Sequence, residues 1–204
     1  MDKKLEKKSE KKLEGKLEYF NQYIKQLGSI AVAFSGGVDS AFLLKAAYDV
    51  LGSSVIAVTI HSCIFPEREH LEAEKFCRKY GIRQVICEAD VFSIEGFERN
   101  PQSRCYLCKR SMMEQIIKTA KEQQMAYVVE GSNLDDDGDY RPGHQAVREL
   151  GIKSPLREAR MTKADVRALS RQMGLPTWEK PSFACLASRF VYGEMITPEK
   201  LAMT

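Results

Sequence analysis

The chain has 204 residues, of which 44% are hydrophobic and 29% charged, and its formal net charge is +3. This size predicts one domain with room for a small appendage, and the apolar content is sufficient for a hydrophobic core. No apolar run is long enough to span a membrane, and the first lysines are followed by more charge rather than by the apolar segment of a signal peptide. We therefore expect a cytoplasmic domain that binds no membrane.

The positive charge is concentrated at the N-terminus. Residues 1–16 contain seven lysines and four acidic residues, and the rest of the chain contains 24 basic and 24 acidic residues. A neutral body lacks the basic surface of a nucleic-acid-binding protein, so no nucleic-acid partner is predicted. We interpret residues 1–16 as a charged tail that forms a frayed, solvated helix. Apolar residues with helical spacing then predict a docking face that ends at Gly28: Leu13, Leu17, Phe20, Ile24 and Leu27.

The sequence Ser-Gly-Gly-Val-Asp-Ser at residues 35–40 follows an apolar run, 30–34, that predicts a buried strand, and precedes a predicted helix over residues 41–48. A turn of small residues before a helix brings backbone N–H groups together at the positive end of the helix dipole. The loop therefore predicts an anion site suited to phosphate. It matches neither G-x-x-x-x-G-K-[ST], because no lysine follows its glycines, nor G-x-G-x-x-G.

Strand and helix patterns alternate along the rest of the chain. Further strands are predicted over residues 54–60, 84–88 and 126–130, and helices over residues 66–80, 106–124 and 162–173. This alternation predicts an α/β fold with a parallel sheet covered by helices on both faces. Ligands of such sheets bind at the carboxyl ends of the strands, where residues 35–40, residues 61–63 and the loop after Glu130 should converge.

The loop at residues 131–140 contains four aspartates within five positions, which is typical of a site for a hard cation. The calcium-binding EF-hand template fails, because neither its first nor its twelfth position carries the required acid. Mg²⁺ bound together with a nucleotide is the better interpretation, with Asp39 and Asp135 as the predicted ligands. Asp136 and Asp137 are each interpreted as part of a solvated turn.

Six cysteines in a chain of this kind point to metal binding, catalysis or burial before disulfides. Cys105 and Cys108 form a C-x-x-C pair at the start of the long helix, where the helix dipole, Arg104 and Lys109 are expected to lower thiol pKa values. Cys185 is a third candidate ligand. Structural zinc sites have four ligands, whereas three thiolates would leave one iron of an iron–sulfur cluster open to an added sulfide. The other cysteines have weaker claims to a function: Cys63, Cys77 and Cys87.

The string Ser-Gly-Gly-x-Asp-Ser after a strand resembles the loop of the N-type ATP pyrophosphatases, which include NAD and GMP synthetases and several tRNA-thiolating enzymes. Four blocks, 35–40, 100–109, 130–143 and 180–193, together resemble the ATP-dependent sulfur transferases that build the nickel-pincer nucleotide cofactor of lactate racemase. The second block contains Arg-Cys-Tyr-Leu-Cys-Lys, the third Gly-Asp-Tyr-Arg-Pro-Gly and the fourth Ala-Cys-Leu-Ala-Ser-Arg. The resemblance runs from about residue 13 to residue 200.

This resemblance implies a reaction and its cofactors. A carboxylate of pyridinium-3,5-biscarboxylate mononucleotide is adenylated with ATP and Mg²⁺, a protein-held sulfur attacks, AMP leaves, and the thiocarboxylate later ligates nickel. In one form of the family Cys105, Cys108 and Cys185 would hold a [4Fe-4S] cluster that carries a sulfide. In the other, catalytic Cys185 gives up its own sulfur and becomes dehydroalanine. We favour the cluster, because the sacrificial form leaves the C-x-x-C pair unexplained.

The resemblance also suggests further contacts. The backbone from Thr59 to Ser62 should meet the adenine, and Arg141 and Arg189 are suited to neutralise a phosphate or carboxylate of the substrate. The loop should hold pyrophosphate and metal through Ser35, Gly36, Gly37, Val38, Asp39 and Ser40.

The three histidines form no cluster and are interpreted as incidental, with only His61 near the crevice.

We divide the chain into the tail 1–16, a PP-loop ATP pyrophosphatase domain 17–178, and a truncated cysteine-bearing segment 179–204 for substrate binding and sulfur transfer. Members of the family continue beyond the point where this chain stops, and the missing region contributes substrate-phosphate and subunit contacts. The expected partners are the pyridinium mononucleotide substrate, a sulfide donor and, in the full-length form, further copies of the chain in a homo-oligomer.

Three alternatives stay open. A tRNA thiolase has the same loop, but the neutral body counts against it. An amide-forming synthetase of the NAD or GMP type does not explain Cys105, Cys108 and Cys185. A non-catalytic nucleotide-binding module would use these cysteines for structural zinc.

Overall fold

A computed structural model describes residues 3–138 and 142–204 of the chain. Its sheet has four parallel strands in the order β3-β2-β1-β4. The strands are β1 (Ile30–Ala33), β2 (Val55–His61), β3 (Gln84–Glu88) and β4 (Tyr127–Val129). Ile30 of β1 pairs with Val55 on one side and with Tyr127 on the other. The chain therefore runs outward from β1 to β3 and then returns to the other side of β1, which places the topological switch point between β1 and β4.

Eight α-helices precede, connect or follow these strands in the described part of the chain. They are α1 (Lys3–Leu27), α2 (Val38–Leu51), α3 (Glu67–Tyr80), α4 (Arg104–Glu122), α5 (Pro142–Glu149), α6 (Pro155–Glu158), α7 (Lys163–Gln172) and α8 (Pro198–Ala202). The predicted α/β fold is confirmed. α4 begins two residues earlier than the sequence pattern predicts, so both cysteines of the C-x-x-C pair lie inside its first two turns.

The two faces of the sheet are buried by different helices, as alternation along the strands requires. Ile30 and Val32 of β1 belong to a core built with α1, α2, α3 and α7, whereas Ala31 packs in a second core with α4 and α5. The predicted docking face of α1 is confirmed, since Phe20 and Ile24 are fully buried. The other members of that face pack at the edge of the same core: Leu13, Leu17 and Leu27.

α7 starts at a well-defined point because its first turn is capped from both directions. The Thr162 side chain accepts a hydrogen bond from the backbone of Asp165, and the Asp165 carboxylate accepts one from the backbone of Thr162. The same carboxylate pairs with Lys16 of α1 at 2.5 Å. This capping box fixes Lys163, the first residue of α7, at the carboxyl edge of the sheet.

The C-terminal segment packs against the loops around α4 rather than against the sheet. A third apolar cluster joins Ala187, Ile196 and Leu201 to Ile64 and Phe97. The regular structure of the C-terminal segment consists of one 3₁₀ turn, Leu186–Arg189, and α8. Long-range backbone hydrogen bonds complete the attachment, such as Leu186 N–H to Ile64 carbonyl at 2.9 Å. In the part of the chain described here, no helix is long and apolar enough to cross a membrane.

Candidate active site

A crevice of about 710 Å³ opens at the carboxyl edge of the sheet, at the switch point between β1 and β4. The loop after β1 and the loop after β4 form two of its walls, and α4 supplies Lys109 and Met112. Residues 180–183 of the C-terminal segment close a further side. The loops that the sequence places after β1 and β4 therefore face one cavity, whereas Ser62 and Cys63 after β2 do not line it.

The loop at residues 35–40 is held in shape by its own backbone and hydroxyl groups. Gly36 has φ +72°, and a Cβ at this position would lie 3.3 Å from the Cβ of Ala73 in α3. The hydroxyls of Ser35 and Ser40 lie 3.1 Å apart, and the Ser40 hydroxyl donates to the carbonyl of Gly37 at 3.2 Å. Val38 begins α2, so the amides of its first turn and the positive end of its dipole face the crevice. This arrangement can bind a phosphate group.

Asp39 and Asp135, the predicted magnesium ligands, face the crevice from the two loops and share one partner. Lys163 forms an ion pair with Asp39 through Nζ, and its backbone N–H donates to Asp135 Oδ2 at 2.8 Å. The Asn133 amide also donates to Asp39 Oδ1, at 3.3 Å. Sequence patterns gave no indication of Lys163, because its contact with Asp39 depends on how α7 docks on α2.

The loop after β4 lies directly against the phosphate loop. A Cβ added to Gly131 would lie 3.0 Å from the backbone nitrogen of Ser40, a contact tighter than most Cβ atoms make, so the backbone of the phosphate loop would have to shift. The buried Glu130 holds the base of this loop: it accepts hydrogen bonds from the Ser132 hydroxyl at 2.8 Å and the Ser154 hydroxyl at 2.5 Å. Glycine at position 131 therefore lets the two loops approach closely without displacing the backbone at Ser40.

The end of β2 contributes less than the sequence suggests. Thr59 is buried at the crevice wall, but its hydroxyl accepts a hydrogen bond from the Gln84 amide at 2.8 Å. Ser62 is buried outside the crevice. The histidines differ from expectation, because His70 and His144 line the crevice and His61 does not. His61 instead stacks behind His70, with ring centroids 4.0 Å apart.

None of the three candidate cysteines lines the crevice, although two of them are close in sequence to residues that do. Lys109 and Phe183 line the cavity, so Cys108 is one residue and Cys185 two residues from a lining position. The three thiols interact electrostatically, because the charges of Cys185 and Cys105 each raise the pKa of Cys108. All six cysteines are free thiols.

The expectation of lowered thiol pKa values in the C-x-x-C pair is wrong for Cys108. Burial raises the pKa of Cys108 to about 12, with the thiolates of Cys185 and Cys105 adding to the effect and Lys109 and Arg104 opposing it. Burial also raises the pKa of Cys185, although the Arg104 guanidinium acts in the opposite direction. The sequence shows the neighbouring cations but not the depth at which the thiols are buried, and here desolvation is the larger effect.

Several predicted contacts lie elsewhere. The exposed Arg189 donates to the carbonyl of Thr204 and does not line the crevice. Arg141 lies outside the described residues. Within residues 3–138 and 142–204, no three histidine, cysteine or acidic side chains are arranged to hold a single metal ion. Lys180, which the sequence did not single out, lines the crevice. Its ammonium group forms ion pairs with Glu69 at 2.8 Å and Glu72 at 2.6 Å. It also donates a hydrogen bond to the carbonyl of Gly36 at 3.3 Å.

Comparison with known proteins gives three findings. The family described as "PP-loop domain" matches residues 5–136 of the chain. The Synechocystis protein slr1717 is 41% identical over 180 residues, which cover 88% of this chain and 67% of that protein. The pyridinium-3,5-bisthiocarboxylic acid mononucleotide synthase of Lactiplantibacillus plantarum is 36% identical over 180 residues, covering 88% of this chain and 65% of the synthase.

Among solved structures, the NH₃-dependent NAD synthetase of Campylobacter jejuni, in complex with the nitrate ion, superposes with a TM-score of 0.61. The two share 17% identity over 88% of this chain and 80% of the synthetase, so this likeness concerns the fold alone. The chain spans about two thirds of the length of these two relatives, slr1717 and the mononucleotide synthase. The chain belongs to the PP-loop family, and it is a relative of the bisthiocarboxylic acid mononucleotide synthase, as its four sequence blocks predicted.

Proposed function

We propose that the protein is an ATP-dependent sulfur transferase that converts a carboxylate of pyridinium-3,5-biscarboxylate mononucleotide into a thiocarboxylate for nickel-pincer nucleotide biosynthesis. One observation carries this proposal: a loop suited to phosphate lines the crevice, and Cys108 and Cys185, two thiols that interact electrostatically, lie within two residues of lining positions. The sequence relationship to a synthase of the bisthiocarboxylic product supports the choice of substrate. Because the chain spans two thirds of that synthase, its activity on its own needs a direct test.

The first half of the proposed reaction is adenylation. A carboxylate oxygen of the substrate attacks the α-phosphorus of ATP, a carboxyl–phosphate bond forms, and the α–β bond breaks to release pyrophosphate. The amides at the start of α2 would bind that pyrophosphate. Asp39 and Asp135 are carboxylates of the kind that hold Mg²⁺, which supplies charge neutralisation of the phosphates when bound. Lys163 would then release Asp39 and turn its ammonium group toward the phosphates.

The second half is sulfur transfer. Thiolates are the usual ligands of iron–sulfur clusters, and in this proposal Cys105, Cys108 and Cys185 would hold a [4Fe-4S] group that supplies sulfide when bound. In the alternative, Cys185 Sγ attacks the adenylated carbon and AMP leaves with the electron pair. A base then takes the Cys185 α-proton, the Cβ–S bond breaks with its electron pair going to sulfur, and the substrate thiocarboxylate leaves while dehydroalanine remains in the chain. Burial raises the pKa of Cys185, so a base that accepts the thiol proton would assist the first attack.

The remaining elements of the proposal concern context. We infer a cytoplasmic enzyme that needs a sulfide donor, binds no nucleic acid or membrane, and forms a homo-oligomer in its full-length form. The C-terminal segment 179–204 would bring substrate and sulfur together, since its residues 180–183 line the crevice and Cys185 follows them. Arg141 is retained as a candidate for a substrate anion.

The experiment that tests the proposal measures iron and acid-labile sulfide after anaerobic purification or reconstitution, and product formation with ATP, Mg²⁺ and the pyridinium substrate. About four irons and four sulfides per chain are expected for the cluster form. Thiocarboxylate product without iron, together with a mass loss at Cys185, would select the sacrificial form. Stoichiometric zinc with no pyrophosphate release would contradict the proposed function altogether.

A further inference from the structure

Arg104, the first residue of α4, is only 3% exposed although it carries a charge. Its Nη1 donates to Asn100 Oδ1 at 2.5 Å and to the carbonyl of Ala187 at 2.7 Å, and its Nη2 lies 3.7 Å from Cys105 Sγ. The ring of Tyr192 covers the guanidinium, with 5.6 Å between the ring centroid and Cζ. A buried guanidinium needs partners for its donors, and these partners come from both cysteine-bearing parts of the chain.

Asn100 links Arg104 to the C-terminal segment. It is fully buried with φ +48°, a left-handed conformation that asparagine tolerates better than most residues. Its side-chain Nδ2 donates to the carbonyl of Val191 at 2.8 Å, and its own carbonyl accepts from the N–H of Gly193 at 2.9 Å. Asn100 therefore binds Arg104 through one side-chain atom and the C-terminal segment through the other.

We propose that Arg104, oriented by Asn100, is a positioning residue that fixes Cys185 beside the C-x-x-C pair of α4. Ala187 lies two residues after Cys185, so the hydrogen bond from Arg104 to its carbonyl sets the place of Cys185 relative to Cys105. The importance of this placement for sulfur transfer rests on the proposed function. The placement itself is a property of the fold and is tested separately.

The geometry requires the planar fork of arginine. One nitrogen of the guanidinium serves two acceptors while the other faces the Cys105 sulfur, an arrangement that methionine of similar length cannot replace because it has no donor. Lysine keeps the charge and three donors on a single nitrogen, but it cannot reach separate partners in fixed directions. Arg104→Lys should therefore restore part of what Arg104→Met loses.

The test measures thiol proximity directly. The metal-free full chain is treated with dibromobimane, a short reagent that bridges two thiols, and the bridged peptides are quantified by mass spectrometry. In Arg104→Met we expect bridges between Cys185 and the C-x-x-C cysteines to fall at least about tenfold, as for lost hydrogen bonds to a charged group. The bridge between Cys105 and Cys108 should stay unchanged and serves as the internal control. Arg99→Met, a matched loss of an exposed arginine, should crosslink like the wild type.

Circular dichroism shows whether Arg104→Met folds. If it does not, Asn100→Gly decides, since glycine keeps the left-handed backbone while removing the amide that orients Arg104. The deciding variant is Arg104→Met if it folds and Asn100→Gly otherwise. Loss of the Cys185 bridges in this variant supports the proposal. Cys185 bridges formed in the wild-type amount overturn it.

A parallel assay of thiocarboxylate formation separates the two proposals. If the wild type forms no thiocarboxylate while Arg104→Met still loses the Cys185 bridges, the proposed function fails and the positioning role stands. If the wild type is active and the deciding variant crosslinks normally, only the positioning role fails.

Discussion

The phosphate loop and the Cys185 segment reach the same crevice by different means. The loop is the direct continuation of β1 into α2, and the hydrogen bonds that shape it join residues at most five positions apart. The Cys185 segment is held through Arg104 and Asn100, by contacts that span 83 and 91 positions along the chain. A locally encoded loop is recognisable as a motif, whereas a site assembled from distant segments depends on a few buried connectors.

The largest expected effect comes from a variant that alters the Cys185 segment and leaves the phosphate loop unchanged. Cys185→Ala removes a proposed sulfur-carrying residue but touches none of the phosphate-binding groups. We expect no detectable thiocarboxylate, while pyrophosphate release stays within about twofold of the wild type. The measurement is product and pyrophosphate in one reaction, with Cys63→Ala, an exposed cysteine, as the control. Thiocarboxylate formation by the Cys185 variant would show that sulfur comes from elsewhere.

A second variant addresses the phosphate region. Asp39→Asn removes the charge that pairs with Lys163 and that we assign to Mg²⁺, so pyrophosphate release should fall about 100-fold. Asp137→Asn is the matched control, because Asp137 forms a surface pair with Arg157 at 3.0 Å and such pairs contribute little. Pyrophosphate release is measured for both variants at saturating Mg²⁺. Equal rates in the two variants would remove Asp39 from the proposed mechanism.

A third variant tests how closely the two loops of the crevice fit. Gly131→Ala places a Cβ 3.0 Å from the Ser40 nitrogen, and this overpacking should lower the free energy of unfolding by about 1–3 kcal/mol. Gly15→Ala is the control, since that position of α1 has open space and alanine there should stabilise the helix by about 0.5–1 kcal/mol. Urea unfolding measures both changes. An unchanged free energy of unfolding in Gly131→Ala would mean that the two loops can separate without cost.

The smallest expected effect concerns the capping box that places Lys163. Burial alone would raise the pKa of Asp165, but the hydrogen bonds from Lys16 and Thr162 hold this pKa below its ordinary value of 3.8. The stabilisation is thus present above pH 3.8 and is lost as pH falls through the lower folded-state pKa. Asp165→Asn should cost about 1 kcal/mol at pH 7, and the difference from the wild type should shrink in acid. Thermal unfolding at pH 7 and pH 3 measures it, and a difference that grows in acid would contradict this assignment.

The regular elements were largely predictable because their signals are local. The strand at residues 84–88 has the limits that its pattern predicts, and Thr162 caps α7 as expected from its place before the helix. The apolar stripe of α1 correctly predicted which residues reach the core. In each case the side-chain pattern within one element carries the information.

The site was predictable only in part, because its chemistry depends on burial and on docking between elements. The positions of Arg104 and Lys109 suggested reactive thiolates, but the pKa of Cys108 is set mainly by desolvation that no local pattern reveals. The pairing of Lys163 with Asp39 spans 124 positions and follows from how the helices pack. The loop motif therefore predicts a phosphate site, and the docking of α7 determines which cation pairs with Asp39.

The central position of β1 has a consequence for how the chain is made. Ile30 pairs with Val55 after 25 positions but with Tyr127 only after 97, and closing the longer loop costs about 1 kcal/mol more entropy. Pairing of β1 with β2 is therefore favoured ahead of pairing with β4. During synthesis, about 5–20 s pass between translation of β1 and translation of β4, and one apolar edge of β1 is unpaired in this interval. We therefore expect the crevice between β1 and β4 to form late in folding, because one of its walls is the loop that follows β4.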